Sequence, residues 1–268
     1  ANGTGTTEPR SAAAVSMVER FETFAERRGY RIDVDATGRV LTLSDAQRFE
    51  VFAPSAVVIE RTLEALAPVL GEQEAPLVVL RASCEEDAET ARVASDALGF
   101  GHRVTVFVET ATFAQRRAAH ARLAESVTRA ELEAFAPRLP LWLSDGLASA
   151  IAESVTDRAF VDGELVSGSS VRKALARKYR RSDRTAVDLS AVSGRRAGEA
   201  TAPLEAESMR IAGYLLEEHT ECLPALVTRL ASLEPRAGES RSRLEMRELE
   251  DVLGAAALAD LMKVLRTR

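Results

Sequence analysis

The sequence predicts an α+β chain in which a small antiparallel or mixed sheet, with its helices, is followed by an all-helical C-terminal half. Three observations carry this reading. Two-residue alternation of apolar and polar positions is confined to the stretch before Val108, whereas from Thr112 onward apolar residues recur every three to four positions. With 268 residues, 46% hydrophobic and 28% charged, the chain can bury a sizeable core, and its composition excludes collagenous, low-complexity and wholly disordered classes. No apolar run approaches the roughly 20 residues that a membrane-spanning helix requires. Strands first and helices later argue against a doubly wound parallel fold.

Taken in order, residues 1–10 read as a disordered tail, and Val15, Val18, Phe21 and Phe24 then give a first amphipathic helix that Gly29 ends. Tyr30, Ile32 and Val34 alternate with polar residues, Thr37-Gly38 supplies a turn, and Val40 to Leu43 returns as the second arm of a β-hairpin. Phe49 and Val51 continue the alternation. Pro54 suits a helix start, and Ile59, Leu63, Leu66 and Leu70 line one face of a helix that runs to Gly71. Pro76 to Arg81 reads as a buried strand. Ser83 and Glu86 have capping-box spacing for a helix ending at Gly99-Phe100-Gly101, and Val104 to Val108 forms a further strand. Helices follow near 112–135, 140–154, 170–181, 203–219, 221–232 and 244–266, with Gly254 as a break in the last. The stretches 182–202 and 234–242, rich in Ser, Arg, Gly and Ala, read as surface loops. The expected division is a tail (1–10), a strand-containing subdomain (11–135) and a helical subdomain (136–268).

Charge and cysteine usage narrow the classes of function. The net charge of −6 offers a nucleic-acid backbone no global attraction. The basic run from Arg172 to Arg184 reads as the solvated face of a helix, since Val171, Leu175 and Tyr179 recur at helical spacing. Cys84 and Cys222 are too few and too distant for a disulfide framework or zinc knuckle, although a single bridge stays open. The acidic run Glu85-Glu86-Asp87 disfavours a thiolate at Cys84. An opening of Ala1-Asn2-Gly3-Thr4-Gly5 without methionine fits a chain trimmed of a signal peptide, which raises the expectation of a periplasmic or extracellular protein.

Other constellations carry little. Gly99-Phe100-Gly101 precedes a strand, whereas a dinucleotide loop follows one. There is no P-loop and no G-x-S-x-G elbow, and Ser167 to Ser170 has no base beside it. His102 falls in a turn. His219 falls at a helix end beside Glu217, Glu218 and Glu221, where an imidazolium suits the helix dipole.

The most specific stretch is Arg138-Leu139-Pro140-Leu141-Trp142-Leu143-Ser144-Asp145-Gly146-Leu147-Ala148, which holds the only Trp. It resembles the L-P-x-W-L-x-E-G-L-A segment of the gluzincin metallopeptidases, the peptidase MA-like group, and the order of elements from about residue 28 onward is similar to that family as well. The resemblance implies a zinc site in which an upstream helix supplies H-E-x-x-H, two His one turn apart with Glu as general base, and the acid before Gly supplies the third ligand. No H-E-x-x-H occurs in this chain. One register sets His120 at the first ligand, Ala121 at the base and Ala124 at the second ligand. A shorter one sets Glu125, Ser126 and Arg129 there, and in both Asp145 stands at the third ligand, one methylene shorter than the family's Glu.

The resemblance therefore implies a degenerate member: a pseudopeptidase without catalytic residues, metal or other cofactor. Its emptied cleft would hold His120, Ala121, Ala124, Glu125, Trp142 and Asp145. The expected role is to bind or scaffold a polypeptide partner, with Val104, Val106 and Val108 as a candidate edge strand for an extended peptide. No nucleic acid or membrane span is expected. Two further classes stay open: a hydrolase with a non-standard metal site built around His120 and Asp145, with Glu125 as an additional candidate, and a purely structural subunit of an assembly.

Overall fold

The computed structural model describes residues 19, 21–27, 29–35, 40–45, 49–71, 77–82, 104–108, 113–161, 163–167, 202–234 and 239–267. The tail 1–10, the helix expected after Ser83, Cys84, His102, the basic run 172–184 and the loop 182–201 lie outside these residues. The chain divides into two compact units, one of residues 1–53 and 74–109 and the other of residues 54–73 and 110–268.

In the first unit, residues 21–27 form helix α1, which buries Phe21 and Ala25 one turn apart. Gly29 ends it with φ +69°, the left-handed conformation that favours glycine. Phe24 stacks on Tyr30 at 5.8 Å between ring centroids, tying the helix to the strand that follows. Strands β1 (Tyr30–Val34) and β2 (Val40–Asp45) form the expected antiparallel hairpin, with Tyr30 opposite Asp45 and Val34 opposite Leu41. The Asp35 carboxylate accepts the Val40 N–H at 2.8 Å and closes the turn from the side chain. Strand β3 (Leu77–Ala82) runs parallel to β2, and β4 (Val104–Val108) runs parallel to β3. The sheet is thus mixed, ordered β1-β2-β3-β4, with β4 at one end of the order.

Helix α2 (Phe49–Leu70) corrects the reading of Phe49 and Val51 as strand and of Pro54 as the helix start. A short apolar run satisfies either period, and Phe49, Phe52 and Ala53 also sit at helical spacing. Pro54 removes one backbone donor near the start without ending the helix. Gly71 then stops it at φ +72°, donating its N–H to the Ala67 carbonyl at 2.8 Å.

The second unit is built on α3 (Phe113–Phe135), which the sequence grouped with the strands, and α4 (Leu141–Thr156). Pro140, at ψ 137°, ends the short connection and accepts the N–H groups of Leu143 and Ser144 at 3.0 Å. Asp157, at φ 57°, caps α4 and donates to the Glu153 carbonyl. Next comes the element that the all-helical expectation omits, a small hairpin of β5 (Ala159–Val161) and β6 (Glu164–Val166). Its two-residue connection is Asp162-Gly163, a sequence suited to such turns. Helices α5 (Ala202–Glu218), α6 (Leu223–Ala231), α7 (Arg241–Leu253) and α8 (Ala255–Thr267) complete the unit, with a 3₁₀ turn at Thr220–Cys222 and the expected break at Gly254, φ +82°.

One core joins these helices: Leu66 and Val69 of α2, Leu132 of α3, Trp142, Leu143 and Leu147 of α4, Ile211 and Leu215 of α5, with Leu226, Leu249 and Leu261 from the tail. Helices α4 and α5 come close together at Gly146. A Cβ added there would lie 2.3 Å from the Ser208 carbonyl oxygen and 3.1 Å from the Ala212 Cβ. Gly146 is therefore required by helix packing, whatever else its segment does. Among the described residues no helix is long and apolar enough to cross a membrane.

Candidate functional site

The L-P-L-W-L-S-D-G segment becomes the first turns of α4, and its residues divide by task. Trp142, Leu143, Gly146 and Leu147 are buried. Asp145 stands at the margin, with only 15% of its side chain exposed, and its Oδ1 is ion-paired with Nη1 of Arg129 on α3. Arg129 lies one helical turn after Glu125, so the two share a face of α3. Arg122, three residues before Glu125, places its guanidinium carbon 4.6 Å from the centre of the Phe160 ring.

Glu125 is held from a third element. Its Oε1 accepts the backbone N–H of Phe160 on β5 at 3.0 Å. In a hairpin closed by two residues, the pair beside the turn exchanges hydrogen bonds and the next pair does not, so the Phe160 N–H points away from Leu165 and is available to a side chain. Burial pushes the Glu125 carboxyl above the usual range. The Phe160 N–H, Arg129 and Arg122 oppose that shift, whereas the neighbouring Asp145 charge adds to it. Glu125 thus feels one further carboxylate and two guanidiniums from α3 and α4.

The other side of the segment carries a second acid. The Trp142 indole N–H donates to Oε2 of Glu245 at 3.1 Å. Arg241 Nε donates to Oε1 of the same carboxylate at 2.9 Å, and Arg241 Nη2 donates to the Arg138 carbonyl at 3.0 Å. Glu245 is 1% exposed, and burial raises its carboxyl despite these donors. A third acid, Glu207 on α5, is buried and pushed up to about 7, with Arg210 opposing.

Of the residues singled out by the sequence, Asp145 pairs with Arg129 of the shorter register, and Glu125 feels both charges. His120 is half-buried and stands five residues before Glu125, about 140° around the helix from it. Ala121 and Ala124 are fully buried and present no donor. Among the described residues no group of three or more His, Cys, Asp or Glu is placed to hold a metal ion. His219 lies 5.4 Å from the Tyr214 ring, between centroids. Cys222 carries a free thiol that burial and the adjacent Glu221 push up, away from the thiolate. Val104, Val106 and Val108 lie on β4, at the end of the strand order.

Sequence reasoning missed Phe160, Arg122, Glu245 and Arg241. The Asp162-Gly163 dipeptide between Ala159-Phe160-Val161 and Glu164-Leu165-Val166 signals the hairpin that presents the Phe160 N–H. No sequence signal joins Trp142 to Glu245 across 103 positions. Comparison of the chain with protein-family models and with curated proteins finds no match.

Proposed function

We propose that this chain is a catalytically silent relative of the peptidase MA-like, gluzincin-type metallopeptidases, and that it binds or scaffolds a polypeptide partner without cutting it. The observation that carries the reading is the state of the acids beside the W-L-S-D-G turn. Asp145 is engaged by Arg129 and Glu125 by the Phe160 N–H, while Ala121 and Ala124 offer nothing in their place. Hydrolysis of an amide needs an activated water and a base positioned to take its proton. Two compensated carboxylates beside two guanidiniums supply neither.

A polypeptide is the partner class because β4 ends the strand order of a mixed sheet, and a ladder edge can add an extended chain through backbone hydrogen bonds. The test combines elemental analysis with incubation. The protein, purified with added zinc and freed of excess, is compared with Asp145→Ala and then mixed with a chemically unfolded polypeptide. The expected result is substoichiometric zinc in both proteins and an unfragmented polypeptide retained by the wild type. Stoichiometric zinc lost in Asp145→Ala, with chelator-sensitive fragmentation, would instead establish a hydrolase.

A further inference from the structure

We infer that the Arg129 guanidinium, paired with Asp145 and one helical turn from Glu125, is the built-in cation beside these two acids and closes them to a divalent metal ion. The inference rests on and deepens the reading proposed above by saying what would exclude a metal ion, and its test separates the two.

The placement comes first. Glu125 and Arg129 are four residues apart on α3 and project from one face. Asp145 reaches the same point from the first turns of α4, since its Oδ1 pairs with Arg129 Nη1. The charges of Asp145 and Arg129 both act on the Glu125 carboxyl, so the three groups are electrostatic neighbours. Two helices fix the acids, and the Phe160 N–H fixes one Glu125 oxygen.

The charge balance comes second. Glu125 and Asp145 bring two negative charges, and Arg129 and Arg122 bring two positive ones, both guanidiniums acting on Glu125. These four side chains carry no net charge between them. A divalent ion would add two positive charges to them and would have to displace the Arg129–Asp145 pair. Removing the guanidinium reverses both terms. Arg129→His leaves one net negative charge and puts an imidazole one turn from Glu125, the spacing at which two side chains of one helix address a single ion, with Asp145 as the third donor.

The experiment follows zinc binding by thermal shift and by equilibrium dialysis for the wild type, Arg129→His, Arg129→Lys and the double variant Arg129→His/Asp145→Asn, each as the full chain. The expected result is zinc binding by Arg129→His at least ~100-fold tighter than by the wild type or Arg129→Lys, and abolished in the double variant. If Arg129→His folds only with zinc present, judged by circular dichroism, that also supports the inference. A variant that is folded but indifferent to zinc, or unfolded with and without it, overturns the inference and leaves the metal-free reading standing. Wild-type zinc binding as tight as that of the variant overturns both.

Discussion

Trp142 and Asp145 stand one turn apart on α4, and each side of that turn has its own acid–base partnership. Toward α7 the acid is dry: Glu245 is 1% exposed and receives the Trp142 indole N–H together with the guanidinium of Arg241, whose own side chain is 44% exposed. Toward α3 the acid itself reaches solvent, Asp145 being 15% exposed beside an Arg129 side chain that is 45% exposed. The difference teaches that one ten-residue segment serves two ends. Its apolar residues and the indole bind the helices into one core, whereas its acid is held in a charge-compensated cluster at the margin. Substitutions on the packing side should therefore cost stability largely irrespective of salt, and those on the charged side should cost little and depend on it.

The largest effect is expected where α4 touches α5. Gly146→Ala sets a Cβ 2.3 Å from the Ser208 carbonyl oxygen, a backbone atom in the middle of a helix that cannot swing aside. The expected loss is about 3 kcal/mol or more, at the upper end of overpacking, read from urea midpoints. Gly213→Ala is the internal control, because there the added carbon meets only the Ala150 Cβ at 4.0 Å. Replacing a glycine inside a helix without a clash should stabilise by about 0.5–1 kcal/mol. Equal responses at the two glycines would mean that α4 and α5 are not in close contact.

Next in size is Glu245→Ala, which leaves the Trp142 N–H buried without its acceptor and cuts Arg241 from its carboxylate. A loss of ~2–3 kcal/mol is expected from breaking a buried, hydrogen-bonded charge. Because Trp142 is the only Trp in the chain, its emission reports this contact alone, and it should shift in Glu245→Ala while the far-ultraviolet dichroism is kept. Unchanged emission would place the indole elsewhere.

These contacts also mark how far the sequence could be read. The periods of Ile59 to Leu70 and of the helices after Thr112 reflect burial along one face, which local spacing records faithfully. The hairpin Ala159–Val166 escaped because three-residue strands carry too little alternation to outweigh the helical pattern around them. Phe49 and Val51 escaped for the opposite reason, a short run that both periods fit. Within the candidate site, Asp145 was legible from its place before Gly146, but that glycine's task turned out to be the approach of Ser208. Arg129 was legible only as an occupant of a ligand position. Its pairing with Asp145 depends on how two helices cross, which no local pattern encodes.

A third prediction uses pH on the packing side. Glu207 is 6% exposed and its carboxyl is pushed up to about 7 from 4.5, chiefly by burial. The folded state thus holds this proton more tightly than the unfolded chain. Its contribution is fully present below about pH 4.5 and is lost as pH rises through about 7. Glu125 and Glu245 are raised too and lean the same way. Glu207→Gln should accordingly be more stable than the wild type at pH 8, on the order of 2 kcal/mol, with the two converging near pH 4. Urea midpoints at the two pH values check this, and a constant difference between the proteins would count against a titrating Glu207.

The smallest effect separates the two sides of α4 most cleanly. Arg129→Met removes the partner of Asp145 but keeps an aliphatic stem to cover α3. Because Arg129 is nearly half exposed, water and salt already screen the pair, and the expected loss is only about 1 kcal/mol. Two signatures identify that loss as electrostatic. It should shrink as sodium chloride rises, since a screened pair loses its attraction in the wild type as well, and Asp145→Asn in the same chain should cost less than it does in the wild type, because the two residues are coupled. The Glu245→Ala loss should persist for the most part at the same salt, because it includes the buried Trp142 indole hydrogen bond to an acid only 1% exposed. If both losses faded alike with salt, the buried partnership would be solvated too, and the distinction between a dry anchor and an open charge cluster would fall.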